Sequence, residues 1–255
     1  MSALRIVLLA AALVAIVTAA AAQMPPAKEQ PAPGMEPGGA VPPVMDQTIF
    51  AHVIFNELEG RWNGSNTEFR WEGQGWVGTD YDKLWIKSEG TLSKGAVDDG
   101  QQQFLYSRAI TTYFDLQGGL RSDIDSRPAR NWAALGIQGL APYFFDIEAT
   151  GFVSNEGHLA AKLEASYDLL LTQRLILQPQ VEVNLYSKAD PVRMIGAGIS
   201  DIDTGLRLRY EIDRKFAPYL GVVYEGKFGQ TASLAKRAGE STGDFRVAFG
   251  VRIWF

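Results

Sequence analysis

The sequence predicts an all-β fold: an antiparallel transmembrane β-barrel of about 12 strands, preceded by a disordered N-terminal arm. Three observations carry that reading. Period-two alternation of apolar and polar residues recurs through the region after residue 45. The apolar rows run close to the ten residues that a tilted strand needs to cross a bilayer, where soluble strands average nearer five or six. Short and longer connections tend to alternate, as periplasmic turns and extracellular loops do.

The chain begins with Arg5 as a basic n-region, an apolar stretch from Ile6 to Val17, and the small residues Ala19-Ala20-Ala21-Ala22 before Gln23. This pattern predicts a signal peptide over 1–22, cut after Ala22. No cysteine is present, so disulfides, thiolate metal sites, thiol nucleophiles and a lipid-modified cysteine at the cut are all excluded. Only Arg5 is charged within 1–22, so removing the signal takes the formal net charge from −5 to −6. With no basic stripe or block, nucleic acid is not an expected partner. Residues 23–45 hold seven of the twelve prolines and predict a disordered periplasmic arm. The remaining 46–255 has the size of one domain.

No apolar run after the signal is long enough for a membrane helix. The alternation gives a different way across. In the last segment Phe245, Val247, Phe249, Val251, Ile253 and Phe255 share one face, and Arg246, Ala248, Gly250, Arg252 and Trp254 the other. Leu159 to Leu169, Leu175 to Leu185 and Leu206 to Tyr210 alternate in the same way. The predicted strands are 49–61, 66–78, 81–93, 102–110, 113–124, 130–139, 143–153, 158–171, 175–187, 198–211, 216–228 and 244–255. Connections at 94–101, 188–197 and 229–243 are expected to be the long loops. An even count returns the C-terminus to the periplasmic side, with Phe255 as the last residue of an outer-membrane assembly signal. Aromatic residues near strand ends suit interfacial girdles, whereas Trp62, Trp71, Trp76 and Trp85 fit a girdle or ordinary packing equally well.

The predicted inner face carries Lys87, Glu89, Asp115, Arg121, Asp146, Glu148, Lys162, Glu164, Glu182, Arg207, Arg209, Glu211, Glu225, Arg246 and Arg252. One sign of charge would favour an ion-selective pore. Mixed signs favour a ladder of ion pairs and a narrow or closed lumen.

Several phrases resemble the bacterial copper resistance protein B family: Gly75-Trp76-Val77-Gly78-Thr79-Asp80-Tyr81-Asp82, Leu105-Tyr106-Ser107-Arg108, Tyr113-Phe114-Asp115-Leu116-Gln117-Gly118-Gly119, Gly136-Ile137-Gln138-Gly139-Leu140-Ala141-Pro142-Tyr143 and Leu171-Thr172-Gln173-Arg174-Leu175. The resemblance runs in one order through 46–255. It implies copper resistance at the outer membrane, in contact with outer-membrane lipid and beside a periplasmic multicopper oxidase, with copper bound, sequestered or passed. Family members carry Met- and His-rich tracts before the barrel; this arm has only Met24, Met35 and Met45 and no histidine. The candidate copper ligands are therefore Met45 with His52, and more weakly Met35, through thioether and imidazole. His52 and His158 are expected at opposite barrel ends, which precludes a joint site. No nucleophile–base arrangement or G-x-S-x-G elbow is present, so no enzyme activity is expected. Asp98-Asp99 and Asp201 with Asp203 read as solvated acids. The alternative function is a passive narrow-pore porin for small solutes.

Overall fold

The computed structural model describes residues 48–125 and 129–255. The expected signal peptide and the arm, with Met24, Met35 and Met45, lie outside the described residues.

Twelve antiparallel strands close into a barrel: β1 (Phe50–Trp62), β2 (Thr67–Gly78), β3 (Asp82–Ser93), β4 (Ala96–Ala109), β5 (Phe114–Asp123), β6 (Asn131–Ala141), β7 (Phe145–Ser154), β8 (Leu159–Tyr167, resumed at Leu169–Leu170), β9 (Leu175–Tyr186), β10 (Gly198–Tyr210), β11 (Phe216–Lys227) and β12 (Gly243–Trp254). Each pairs with its sequence neighbours, and β12 pairs back to β1 from Ile54↔Trp254 to Trp62↔Val247. Closure removes every sheet edge, so all backbone donors and acceptors in the apolar zone can be satisfied within the wall.

Alternation sorts the side chains. On β12, Phe245, Val247 and Phe249 are exposed while Ala248 between them is fully buried. Leu84, Leu120, Leu135, Leu163, Leu206 and Leu220 are likewise exposed on the outside. In water such a surface would be an aggregation site; in a bilayer it is the lipid face.

Turns at 79–81, 110–113, 142–144, 171–174 and 211–215 lie at the end that holds Phe50 and Phe255. The other end carries the connections 63–66, 94–95, 124–130, 155–158, 187–197 and 228–242, and the last of these contains helix α1 (Gly229–Ala238). The end with the uniformly short turns is the periplasmic one.

One expected loop is not a loop. The segment 94–101 contributes most of its residues to β4, and the connection shrinks to Lys94-Gly95, both at positive φ (49° and 80°). That is the geometry of a tight primed hairpin turn, whose twist matches the flanking strands. The polar run Asp98-Asp99-Gly100-Gln101-Gln102-Gln103 looks loop-like only if strands need an apolar inner face. Here Gln101 and Gln103 are buried inside the barrel. Glu211 directly follows the end of β10, its N–H donating to the Arg174 carbonyl at 2.8 Å.

Candidate functional site

The lumen is crossed by charged side chains, many of them paired with opposite charges. β1 projects Glu57, Glu59 and Arg61 inward, all nearly inaccessible to solvent. Arg61 donates from Nε to Glu59 at 2.6 Å and from Nη1 to Asp203 at 2.7 Å and Glu225 at 2.5 Å. Arg207 on β10 grips Glu59 with both Nε (3.0 Å) and Nη2 (2.9 Å), and Glu57 lies 2.6 Å from the same guanidinium. Burying carboxylates is costly unless they are paired and hydrogen-bonded, and forked guanidinium contacts meet both needs.

Two bridges reach across the barrel. Arg70 on β2 contacts Glu57 at 3.0 Å and Glu182 on β9 at 3.5 Å. Lys162 on β8 contacts Glu89 on β3 at 2.8 Å and Glu182 at 3.2 Å. Around a ring of twelve strands, β2 and β9 are five strands apart, and so are β3 and β8. These pairs therefore span nearly the full width. Lys87 on β3 adds a contact to Glu148 on β7 at 2.6 Å. Together they form a belt across the lumen.

A cavity lies on each side of the belt, and Glu89 lines both. The inner one, toward the periplasm, measures about 370 Å³, and among the described residues seven carboxylates and four Lys or Arg side chains line it. The outer one measures about 360 Å³ and is lined by eleven carboxylates and six basic side chains. Both are acid-biased, so both favour cations over anions.

The outer mouth is covered by its own loops. Arg193 in the 187–197 loop lies 2.6 Å from Asp125, and Arg130 lies 2.7 Å from Asp190 of that loop. Thr231 of α1 accepts from the Gly196 N–H at 2.8 Å and shares a hydrogen bond with Ser200 at 3.0 Å. Burial alone would raise the Asp190 carboxyl. The hydrogen bond and charge of Arg130, helped by Arg193, outweigh it and hold Asp190 below the usual carboxylate range.

Comparison with known proteins identifies the family. The family model described as copper resistance protein B precursor (CopB) matches residues 49–255. This chain belongs to the copper resistance protein B family. Copper resistance protein B of Escherichia coli is 46% identical over 214 residues, covering 83% of this chain and 72% of the relative. The copper resistance protein B homolog of Pseudomonas syringae pv. tomato is 41% identical over 212 residues, with the same coverages. Among solved structures, the NanC porin aligns with a TM-score of 0.51 at 9% identity, over 79% of this chain and 98% of that one, a likeness of fold alone. The chain is a copper resistance protein B family barrel of the outer membrane.

Within that family identity, the candidate copper ligands separate. His52 lies near the periplasmic end of β1 and lines the inner cavity. Its ring packs between Trp76 (centroids 6.3 Å apart) and Trp254 (5.6 Å). His158 closes the extracellular turn after β7, its N–H donating to Ser154 Oγ at 3.0 Å. The two histidines thus occupy opposite ends. Trp76 also packs against Trp85, at 6.2 Å, inside the wall, whereas Trp62 is exposed. Among the described residues no three His, Cys, Asp or Glu side chains converge to hold a metal ion. A bare copper ion therefore finds no preformed cage there.

Sequence reading missed the β1 and β2 contributions to the belt: Glu57, Glu59, Arg61 and Arg70. The β1–β2 register shifts between Phe55 and Glu57, so the inward face of β1 changes parity partway along. The signal was available in the second half alone, where Glu57, Glu59 and Arg61 alternate with Leu58, Gly60 and Trp62.

Proposed function

We propose that this chain contributes to copper tolerance by holding copper ions in an acid-biased lumen, and that free diffusion of solutes through the barrel is not its role. The observation supporting this reading is the cross-lumen belt of Arg70–Glu182 and Lys162–Glu89, with a surplus of carboxylates on either side. An open porin needs a continuous aqueous path through its lumen. A charged belt in a twelve-stranded barrel obstructs that path, while the flanking acids raise the local cation concentration.

His52, at the periplasmic mouth, would supply an imidazole, and Met45, seven residues earlier in the sequence, a thioether. Met35, ten residues before Met45, would be a weaker third donor, because closing a longer span of chain costs more entropy before any bond forms. Thioether and imidazole together suit Cu(I). A periplasmic multicopper oxidase, the companion implied by the resemblance, would exchange copper at this end. The reading assigns the chain no catalytic step.

The test pairs two measurements. The mature chain in planar bilayers is expected to carry no steady current with or without copper, and cells lacking it are expected to lose copper tolerance. A steady copper-independent current with unchanged tolerance would establish the narrow-pore porin instead.

A further inference from the structure

We propose that the inner cavity is a binding site for a hydrated divalent cation, held through its water shell by Glu72 and Gln103. The inference deepens the reading that the lumen holds cations, and it rests on that reading.

Gln103 on β4 is 2% exposed, lines the inner cavity, and leaves its side-chain oxygen without a partner. Glu72 on β2 accepts from Asn56 at 2.9 Å through one oxygen, while its other oxygen is buried and unpartnered. Asp168, on the same cavity, also has an unpartnered oxygen. Trp85 Nε1 and Arg252 Nε are buried donors without partners on this wall. Buried polar atoms are almost always satisfied, so a convergence of such atoms on one cavity marks contents that the side chains alone do not supply.

The chemistry of those contents follows from the imbalance. Unpartnered acceptors outnumber donors, and carboxylates outnumber basic side chains seven to four among the described residues. The cavity is therefore short of positive charge, and its unpartnered acceptors exceed its unpartnered donors by three to two. A hydrated divalent cation brings both charge and donors, because each metal-bound water donates and its polarised O–H bonds make those hydrogen bonds stronger. Direct ligation fits less well. Asn56 already engages one Glu72 oxygen, and no three His, Cys, Asp or Glu side chains converge among the described residues. Size permits the hydrated ion, because six waters at about 30 Å³ each need less than the cavity's roughly 370 Å³. Such a site selects by charge and hydration rather than by softness, so Mg²⁺, Mn²⁺ and Cu²⁺ compete for it and Cu(I) does not.

The experiment titrates Mn²⁺ into the folded mature chain in detergent, reading bound ion by electron paramagnetic resonance and its retained waters by water-proton relaxation. Mg²⁺ and Cu²⁺ serve as competitors. The variants are Glu72→Gln and Gln103→Leu, with heat-modifiable gel migration confirming the folded barrel. Bound Mn²⁺ is expected to keep its waters and to be displaced by Mg²⁺ and Cu²⁺. Each substitution is expected to weaken it about tenfold. No bound Mn²⁺ in the wild-type chain means that water alone fills the cavity and overturns the site, as does binding untouched by both substitutions. Copper binding that ignores Mg²⁺ and both variants overturns the site but leaves the proposed function standing. Mn²⁺ binding of the expected kind without any effect of the chain on copper tolerance does the opposite.

Discussion

Replacing Lys162 with methionine tests the belt at its most exposed weakness. Lys162 is buried, and its ammonium is shared by Glu89 at 2.8 Å, Glu182 at 3.2 Å and Glu164 at 3.6 Å. Methionine nearly preserves the volume, so packing changes little while three carboxylates lose their common cation. Glu182 retains Arg70 at 3.5 Å and the Asn184 amide at 2.8 Å, and Glu164 retains the Gln180 amide at 3.0 Å. Among the described residues Glu89 forms no other ion pair, so the cost concentrates there. Removing one partner of a buried pair costs about 3–5 kcal/mol, against about 0–1 kcal/mol for an exposed pair. Urea unfolding in detergent micelles, followed by tryptophan fluorescence, measures the difference. The double variant Lys162→Met with Glu89→Gln should recover part of the loss, since the orphaned charge is gone; the double-mutant cycle gives the coupling. A loss below about 1 kcal/mol, with no recovery in the double variant, would mean that water already screens these charges and that no dry belt exists.

Three further outcomes follow from the same geometry. Because Asp190 is held below the usual carboxylate range, its contribution to the outer latch is complete above an ordinary aspartate value of about 4 and is lost as pH falls through the depressed one. A spin label at Val192, attached through the single cysteine of Val192→Cys in this cysteine-free chain, should stay slow-moving down to that range and become mobile below it; mobility already high at pH 7 would count against the latch. Gly196→Val places a side chain against the Thr231 backbone nitrogen and Gln230, so α1 should be shed and become protease-sensitive while the barrel's urea midpoint stays put. Deleting Phe255 removes its paired backbone bonds with Val53 (2.8 and 3.2 Å), and the amount of folded protein in the outer membrane should fall.

The barrel was legible in the sequence because its signal is periodic and local. Phe245 to Phe255 shows one apolar row, and the same row repeats from strand to strand, so the lipid face needs no tertiary information. The connection after β3 was not legible, because Asp98 to Gln103 is polar on both parities and resembles solvent-exposed chain. Only the barrel's charged interior gives Gln101 and Gln103 a reason to be strand residues. The mixed-sign inner face was also readable, as Lys87, Glu89, Glu148, Lys162 and Glu182 show. Which charge meets which was not, because Arg70–Glu182 and Lys162–Glu89 join residues 112 and 73 positions apart. Register and closure decide such pairs, and neither is written in local spacing. The copper chemistry was the least legible part. His52 is placed at the periplasmic mouth, but Met35 and Met45 fall outside the described residues.

The most direct test of a copper-holding lumen is equilibrium dialysis of copper against the folded mature chain in detergent. Copper is expected to be retained above the detergent blank in proportion to the folded chain, and less of it when Glu72 and His52 are replaced together. Copper at the level of the blank across the whole titration would contradict a copper-holding lumen.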